Sequence, residues 1–317
     1  MNMTTATVQS GVSPSTKGTV LILNDKSIYN KRYRSPLLAG LASHGFTVES
    51  QGVLDSSLGI FALLVRLRSQ SWTLTISSNL KSNLFALVFA RGPLVIILNG
   101  LGRFRRSRRL RGVLRHLMRR RPGNQFIVQS YSDYRYLRRY TDMENLHWLP
   151  GSGGRRKPIG TDNSIVLVQR DSKIGHVAHS VRDFMETAGS GRTLVVVGCE
   201  NSERINALFS GLDFRSVGYL PADDILAGGN TFLQPEGYGE GFPHTLADAI
   251  ASGASVIISD REYLRYGLQK LGAAREQVAT GWSRLDYGDA LQQQTGAETI
   301  ARKTLRICDQ AIGNFLR

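Results

Sequence analysis

Short apolar runs alternate with longer, partly polar stretches along the first half of the chain. The apolar runs predict five strands: Thr19–Asn24, 46–49, 72–76, Leu94–Leu98 and 125–129. Helices are predicted between them over 36–43 and 80–90. Runs this short, without polar alternation, are typical of strands that are buried on both faces of a parallel sheet. Strands that alternate with helices pair in parallel through right-handed crossovers.

A glycine-rich segment, residues 151–154, interrupts this alternation and has the composition of an interdomain linker. The alternation then resumes with four predicted strands: Ile165–Val168, 193–197, Thr231–Gln234 and Ser255–Ser259. Helices are predicted over 243–251 and 298–315. Two open α/β sheets in series bind ligands at the carboxyl ends of their strands, so we expect a cleft between two domains.

These patterns divide the chain of 317 residues into two Rossmann-like α/β domains, 19–155 and 156–298. Residues 1–18 are rich in Ser and Thr and lack an apolar run, which predicts a disordered leader rather than a signal peptide. Residues 299–317 are expected to form a last helix that crosses back to the first domain. The fold class predicted from these patterns is α/β, with parallel sheets that face each other across the cleft.

Cysteine usage and hydropathy favour a cytoplasmic protein. Cys199 and Cys308 are far apart and have no metal-binding spacing, which fits a reducing compartment. The longest apolar stretch, 84–98, is interrupted by Arg91, Gly92 and Pro93 and is too short to cross a bilayer.

The net charge of +15 is confined to the first half of the chain. Residues 1–155 hold 23 Lys/Arg and 6 Asp/Glu, whereas residues 156–317 hold 17 and 19. Such asymmetry favours a surface that contacts nucleic acid, acidic lipid or a phosphorylated substrate.

Ten arginines are concentrated in residues 103–121. Apolar residues with the spacing of one helix face lie among them: Leu110, Val113, Leu114, Leu117 and Met118. Three interpretations stay open: a helix that only packs on the sheet, one that also faces anionic lipid, or a nucleic-acid-binding helix. The run lacks interleaved aromatic residues for base stacking, so nucleic acid is the weakest of the three.

The strongest chemical signal lies where a strand ends at Pro235 and a helix begins at Pro243, with three glycines in the loop between them. The free N–H groups of the first helical turn, together with the helix dipole, predict a phosphate site. These N–H groups belong to His244, Thr245 and Leu246. Glu240 and Asp248 flank this site and suit the hydroxyls of a sugar and a ribose. An ordinary strand–helix turn without a ligand is the alternative.

Residues 235–258 resemble the E-x7-E motif of retaining, family-4 glycosyltransferases, which have the GT-B fold. The matching residues are Glu240, Gly241, Phe242, Pro243, Leu246, Ala249, Gly253, Val256 and Ile257. Asp248 replaces the second Glu. Residues 99–104 and 150–153 resemble Gly-Leu-Gly and Gly-Ser-Gly motifs of a subgroup that builds capsular, exopolysaccharide or lipid-linked sugars. The resemblance covers residues from about 19 to 317.

The resemblance implies transfer of a sugar, with retention of configuration, from a nucleotide-diphosphate donor, most often UDP-linked. The acceptor is expected to be lipid-linked or a polysaccharide at the inner face of the cell membrane, and neither a metal nor another cofactor is implied. The residues implied for catalysis are Glu240, Arg170 and Lys173. Those implied for donor binding are Gly241, Phe242, Pro243, His244, Thr245, Leu246, Asp248 and Gly198.

The acceptor and the membrane surface are expected to meet residues that follow the third and fourth strands or belong to the arginine run. These residues are Lys81, Asn83, Gly100, Gly102, Arg103, Arg105, Arg106 and Arg109. Relatives often carry a His after the third strand, where this chain has Ser77, Ser78 and Asn79. The Asp248 substitution and short loops favour, as an alternative, a non-catalytic subunit that binds a partner glycosyltransferase. A basic nucleic-acid-binding α/β protein is the second alternative.

Overall fold

The computed structural model describes residues 17–55, 57–102, 107–120, 123–140, 143–237 and 241–316. Within these ranges the strands are β1 (Thr19–Asn24), β2 (Thr47–Gly52), β3 (Leu74–Ser78), β4 (Leu94–Leu98), β5 (Gln125–Val128), β6 (Leu146–Trp148), β7 (Ile165–Val168), β8 (Leu194–Val197), β9 (Phe214–Gly218), β10 (Thr231–Gln234), β11 (Ser255–Ser259), β12 (Ala274–Ala279) and β13 (Trp282–Asp286). The α-helices are α1 (Ser27–Ser43), α2 (Ser57–Ser69), α3 (Leu80–Phe89), α4 (Arg108–Arg119), α5 (Tyr131–Leu137), α6 (Asp171–Thr187), α7 (Ser202–Phe209), α8 (His244–Ser252), α9 (Asp260–Tyr266), α10 (Asp289–Thr295) and α11 (Ala297–Leu316). Two short 3-10 helices span Met143–Asn145 and Leu268–Leu271.

The first sheet is entirely parallel, with the order β2-β1-β3-β4-β5-β6. Alternate residues of one strand belong to different cores: Leu21 and Leu23 pack with residues of α2, α3 and α4, whereas Val20 and Ile22 pack with α1 and α11. Burial on both faces explains why these strands are apolar without alternation.

The second sheet has the order β12-β13-β11-β10-β7-β8-β9 and is parallel except for the hairpin β12–β13. Strands β7, β8, β10 and β11 confirm the predicted apolar runs to within one residue. The hairpin, β6 and β9 were not predicted. β12 lies at the sheet edge, where four of its six residues are exposed, so it carries no apolar run.

Helix α1 begins at Ser27, nine residues before the predicted start, so the predicted bounds 36–43 are wrong at the N-terminal end. Pro36 lies inside the helix rather than at its beginning. The face turned inward carries Asn30 and Arg34 before Leu37 and Leu41. Because the first half of this buried face is polar, it shows no apolar periodicity, and the first half of the helix was therefore not predicted.

Two chain segments cross between the sheets side by side. Gly154 donates its N–H to Thr295 O (2.8 Å), and Ala297 donates its N–H to Gly154 O (2.9 Å). Helix α11 then packs on α1 and on the first sheet, where Ile300 and Ile307 join the core of β1 and β4. None of the helices in the described ranges is long and apolar enough to cross a membrane.

Candidate functional site

The ends of parallel strands from both sheets meet at one junction. Gly241, in the loop after β10, lies against Asn99 and Gln129, which follow β4 and β5. A Cβ on Gly241 would overlap Asn99 O and lie 2.7 Å from Gln129 Oε1. Only glycine therefore allows the loop of the second domain to pack this closely on the first.

Helix α8 points its N-terminus at this junction. Pro243 is the N-cap residue, with extended backbone angles, and no side chain among the described residues caps the helix. The first turn holds no acidic residue. Its backbone N–H groups, from His244, Thr245 and Leu246, are thus available to an anion at the positive end of the helix dipole.

Arginines surround His244 at the start of α8. Burial and the charges of Arg34, Arg32 and Arg155 lower the pKa of His244 from 6.5 to about 3. Its ring stacks on Tyr33 of α1, with centroids 4.1 Å apart and planes at 14°. The imidazole is therefore neutral at physiological pH, and the positive potential at the junction comes from the arginines and the helix end.

A chain of amide side chains runs along the carboxyl ends of the first three central strands. Asn99 donates to Asn79 Oδ1 (2.5 Å), Asn79 donates to Asn24 Oδ1 (2.5 Å), and Asn24 donates to Asn30 Oδ1 (2.9 Å). Arg34 donates to Asn99 Oδ1 at 3.4 Å. This network was not predicted from the sequence, although Asn24, Asn79 and Asn99 each stand at or shortly after the end of a predicted strand.

Asn79 has φ 73° and ψ 160°, in a backbone region that is occupied almost only by glycine. It is the only non-glycine residue with positive φ in the described part of the chain. Such strain costs about 1–3 kcal/mol and persists where the surroundings fix the conformation. The amide chain fixes Asn79 from both sides.

Asp248, predicted to bind ribose, lies on the second turn of α8 and holds the linker. Its Oδ1 accepts the Arg155 N–H at 2.8 Å, and Arg155 in turn donates from its guanidinium to Ser35 of α1. Burial raises the pKa of Asp248, and the Arg155 N–H and nearby cations oppose that rise. The residue thus couples α8 to the contact between the domains.

Arg170 and Lys173 lie at the start of α6, which follows β7 in the second domain. Arg170 is the N-cap residue, and Lys173 lies in the first turn of the helix. Burial and the charge of Arg170 lower the pKa of Lys173. Gly198 follows the neighbouring strand β8 with φ 88°, and a Cβ there would lie 2.6 Å from Gln169 O. Glycine therefore lets the two strand ends approach each other.

The loop between β10 and α8 is anchored at both ends. Glu262 of α9, only 1% exposed, accepts the Gly237 N–H at 3.0 Å and pairs with Arg265 at 3.1 Å. On the other side, Phe242 is buried against Tyr266, with ring centroids 5.3 Å apart. Glu240, the predicted catalytic carboxylate between these anchors, lies outside the described residues.

The predicted acceptor-side residues are distributed over the first domain. Gly100 and Gly102 have positive φ in the turn after β4, next to Asn99. Asn83 is buried and donates to Ile97 O at 2.9 Å, whereas Lys81 and Arg109 are exposed on α3 and α4. The remaining three, Arg103, Arg105 and Arg106, lie outside the described residues.

Comparisons with known proteins give a likeness in structure only. No protein-family profile matches the sequence, and no curated protein is similar to it. AviGT4, a glycosyltransferase involved in avilamycin A biosynthesis, matches with a TM-score of 0.59 and 12% identity, over 93% of this chain and 98% of that chain. Alr3699/HepE of Anabaena, solved in complex with UDP and glucose, matches with a TM-score of 0.53 and 15% identity, over 94% and 93%. The fold is GT-B.

A GT-B chain with this junction can stabilise negative charge in its cleft. The start of α8, which no described side chain caps, lies close to Arg34 and Arg155, and Arg170 is the N-cap residue of α6 in the same domain. Fixed cations and backbone dipoles favour a group on which negative charge grows. No three His, Cys, Asp or Glu of the described residues are grouped so that they could hold a metal ion.

Proposed function

We propose that the chain is a glycosyltransferase that takes a sugar from a nucleotide-diphosphate donor, UDP-linked in the simplest case. The observation that carries the proposal is the uncapped N-terminus of α8, which lies among arginines at the junction of two GT-B domains. A diphosphate leaving group carries the negative charge that would balance the cations and the helix dipole of this site. The match to a structure solved with UDP and glucose supports the same donor class.

The proposed reaction is a retaining transfer of the family-4 type. The bond between the sugar's anomeric carbon and the diphosphate breaks, and charge grows on the leaving phosphate next to Arg170, Lys173 and the first turn of α8. The acceptor oxygen bonds to the anomeric carbon on the same face, and its proton goes to an oxygen of the leaving phosphate. Glu240 holds sugar hydroxyls, and Asp248 holds the ribose. Arg170 and Lys173, in place of a metal ion, balance the negative charge of the leaving diphosphate.

Turnover of nucleotide sugars with and without EDTA tests this function. We expect hydrolysis or transfer of one UDP-sugar that persists in EDTA. Glu240→Gln should lower kcat by about 10²-fold, the scale of one lost transition-state contact. Glu276→Gln, at an exposed residue of β12, is the matched control and should leave kcat unchanged. Equal rates in the two variants would remove Glu240 from catalysis.

The acceptor is proposed to be lipid-linked or a polysaccharide, reached at the inner face of the cell membrane. Helix α3 packs between α2 and α4, and these three helices expose apolar side chains together with arginines. Phe61 is 72% exposed, Val88 51% and Val113 48%, while Arg109 and Arg119 are also exposed. Basic residues near an anionic surface contribute about 1 kcal/mol each, and apolar side chains add insertion.

Sedimentation with vesicles tests the membrane contact. The full chain should bind vesicles that contain phosphatidylglycerol and not those of phosphatidylcholine alone. Arg109→Gln with Arg119→Gln should weaken binding by about 30-fold, the equivalent of about 2 kcal/mol. Arg306→Gln, at an exposed position of α11, should have no effect. Equal binding by both variants would contradict the assignment of this face.

A further inference from the structure

Arg34 of α1 is a buried cation that has no counter-ion among the described residues. It is 7% exposed, and the one hydrogen bond that it donates to a described residue, to Asn99 Oδ1, is long at 3.4 Å. No carboxylate of the described residues forms an ion pair with it. An unpaired buried charge is costly, so such a residue is kept where a ligand supplies the opposite charge.

The charged groups that act on His244, the first residue of α8, are cationic. They are Arg155 from the linker and Arg32 and Arg34 of helix α1. Burial lowers the pKa of Arg34 to about 10, so it remains charged at neutral pH. Asn99 contacts both the Arg34 guanidinium and Gly241 of the loop before α8, and Tyr33, next to Arg34, stacks on His244, so Arg34 and the start of α8 meet at the same junction from different domains.

The amide chain provides a means to orient the guanidinium. Asn99 accepts from Arg34 and donates to Asn79, whose strained backbone is held in turn by Asn24. An amide that is bonded at both ends cannot rotate to follow Arg34. The direction of the guanidinium is thus set by the first sheet, before any ligand arrives.

We propose that a phosphate group binds between Arg34 and the first turn of α8, so that one anion holds both GT-B domains together. The phosphate belongs to a substrate, either the donor diphosphate or a phosphate on the acceptor. That assignment to a substrate rests on the proposed function, whereas the anion site does not. Arg34 is a substrate-binding residue in this proposal, and the asparagines position it.

Calorimetry on the full chain tests the site with inorganic phosphate, UDP and uridine as probes. Arg34→Gln should weaken the binding of phosphate or UDP by at least about 10-fold, the scale of a lost charge-assisted hydrogen bond. Arg306→Gln, which removes an exposed charge of α11, should change neither. Equal binding of both probes to wild type and Arg34→Gln would overturn the proposal.

The pattern among the probes identifies the source of the phosphate. A donor diphosphate predicts that Arg34→Gln weakens UDP but not uridine, and that phosphate competes with UDP. An acceptor phosphate predicts unchanged UDP affinity and an Arg34-dependent phosphate site in the UDP-saturated protein. If no nucleotide binds while phosphate still needs Arg34, the proposed function fails and the anion site stands.

Thermal unfolding separates a binding role from a structural one. Without ligand, Arg34→Met should unfold at the same temperature as wild type or higher, because it removes a buried charge for which the described part of the chain holds no counter-ion. It should also lose the stabilisation that phosphate gives to wild type. Arg34→Lys keeps the charge and should restore part of that stabilisation. A lower midpoint in Arg34→Met, with phosphate stabilisation intact, would show that Arg34 is structural.

Discussion

Acid should destabilise the junction through His244, and His244→Phe should remove that sensitivity. The folded-state pKa of His244 is about 3 against 6.5 for the free side chain. Between these values the unfolded chain binds the proton more readily, so the stabilisation present above pH 6.5 is lost as pH falls. At pH 5 the loss relative to pH 7 is about 2 kcal/mol, from about 1.36 kcal/mol per pH unit. Because pH 5 lies well above the folded pKa, this figure barely depends on its value.

Phenylalanine keeps an aromatic ring against Tyr33 but cannot take up a proton. Urea unfolding at pH 7 and pH 5 should therefore show a loss in wild type that exceeds the loss in His244→Phe by about 2 kcal/mol. Burial also lowers the pKa of His147, but that contribution is common to both proteins and cancels. His179→Gln, at an exposed site, should behave like wild type. The reasoning is refuted if His244→Phe loses as much stability in acid as wild type does.

Three further substitutions test the junction. Gly241→Ala places a Cβ against Asn99 O and should cost about 1–3 kcal/mol of stability by urea unfolding. Gly112→Ala, which has open space in α4, should stabilise the protein slightly. Equal effects of the two substitutions on stability would contradict the packing of Gly241. Asn79→Gly should be more stable than Asn79→Ala by about 1–3 kcal/mol, since glycine alone relieves the backbone strain; the reverse order would argue against strain. Glu262→Gln removes the charge that fixes the Gly237 N–H and should weaken UDP binding several-fold, although Glu262 itself does not contact UDP in the proposed site. Unchanged UDP affinity by calorimetry would refute this role.

The sequence allowed the central strands to be predicted because each is buried on both faces and therefore continuously apolar. It did not allow the hairpin β12–β13 to be predicted, since an edge strand in solvent carries polar residues such as Arg275 and Glu276. The first half of α1 was not predicted for the opposite reason, because Asn30 and Arg34 are polar and yet face inward. Apolar periodicity finds elements by their burial and misses those whose burial serves a polar site.

The candidate site shows the same division between local and distant information. The start of α8 was predicted at Pro243 because its proline and the preceding glycines are local signals, and the observed helix begins one residue later. The stacking of Tyr33 on His244 joins residues of different domains, and nothing in either segment indicates the other. The amide chain combines three asparagines whose proximity depends on the strand order β1-β3-β4.

The most direct test of a donor site at the start of α8 is calorimetric binding of UDP, GDP and ADP in EDTA, with uridine as the reference. We predict that one nucleoside diphosphate, UDP in the simplest case, binds at least about 10-fold more tightly than its nucleoside, the scale of a charge-assisted contact to the diphosphate. Lys173→Ala should remove most of that difference. Absence of binding by all three diphosphates, or equal affinity for UDP and uridine, would contradict the account.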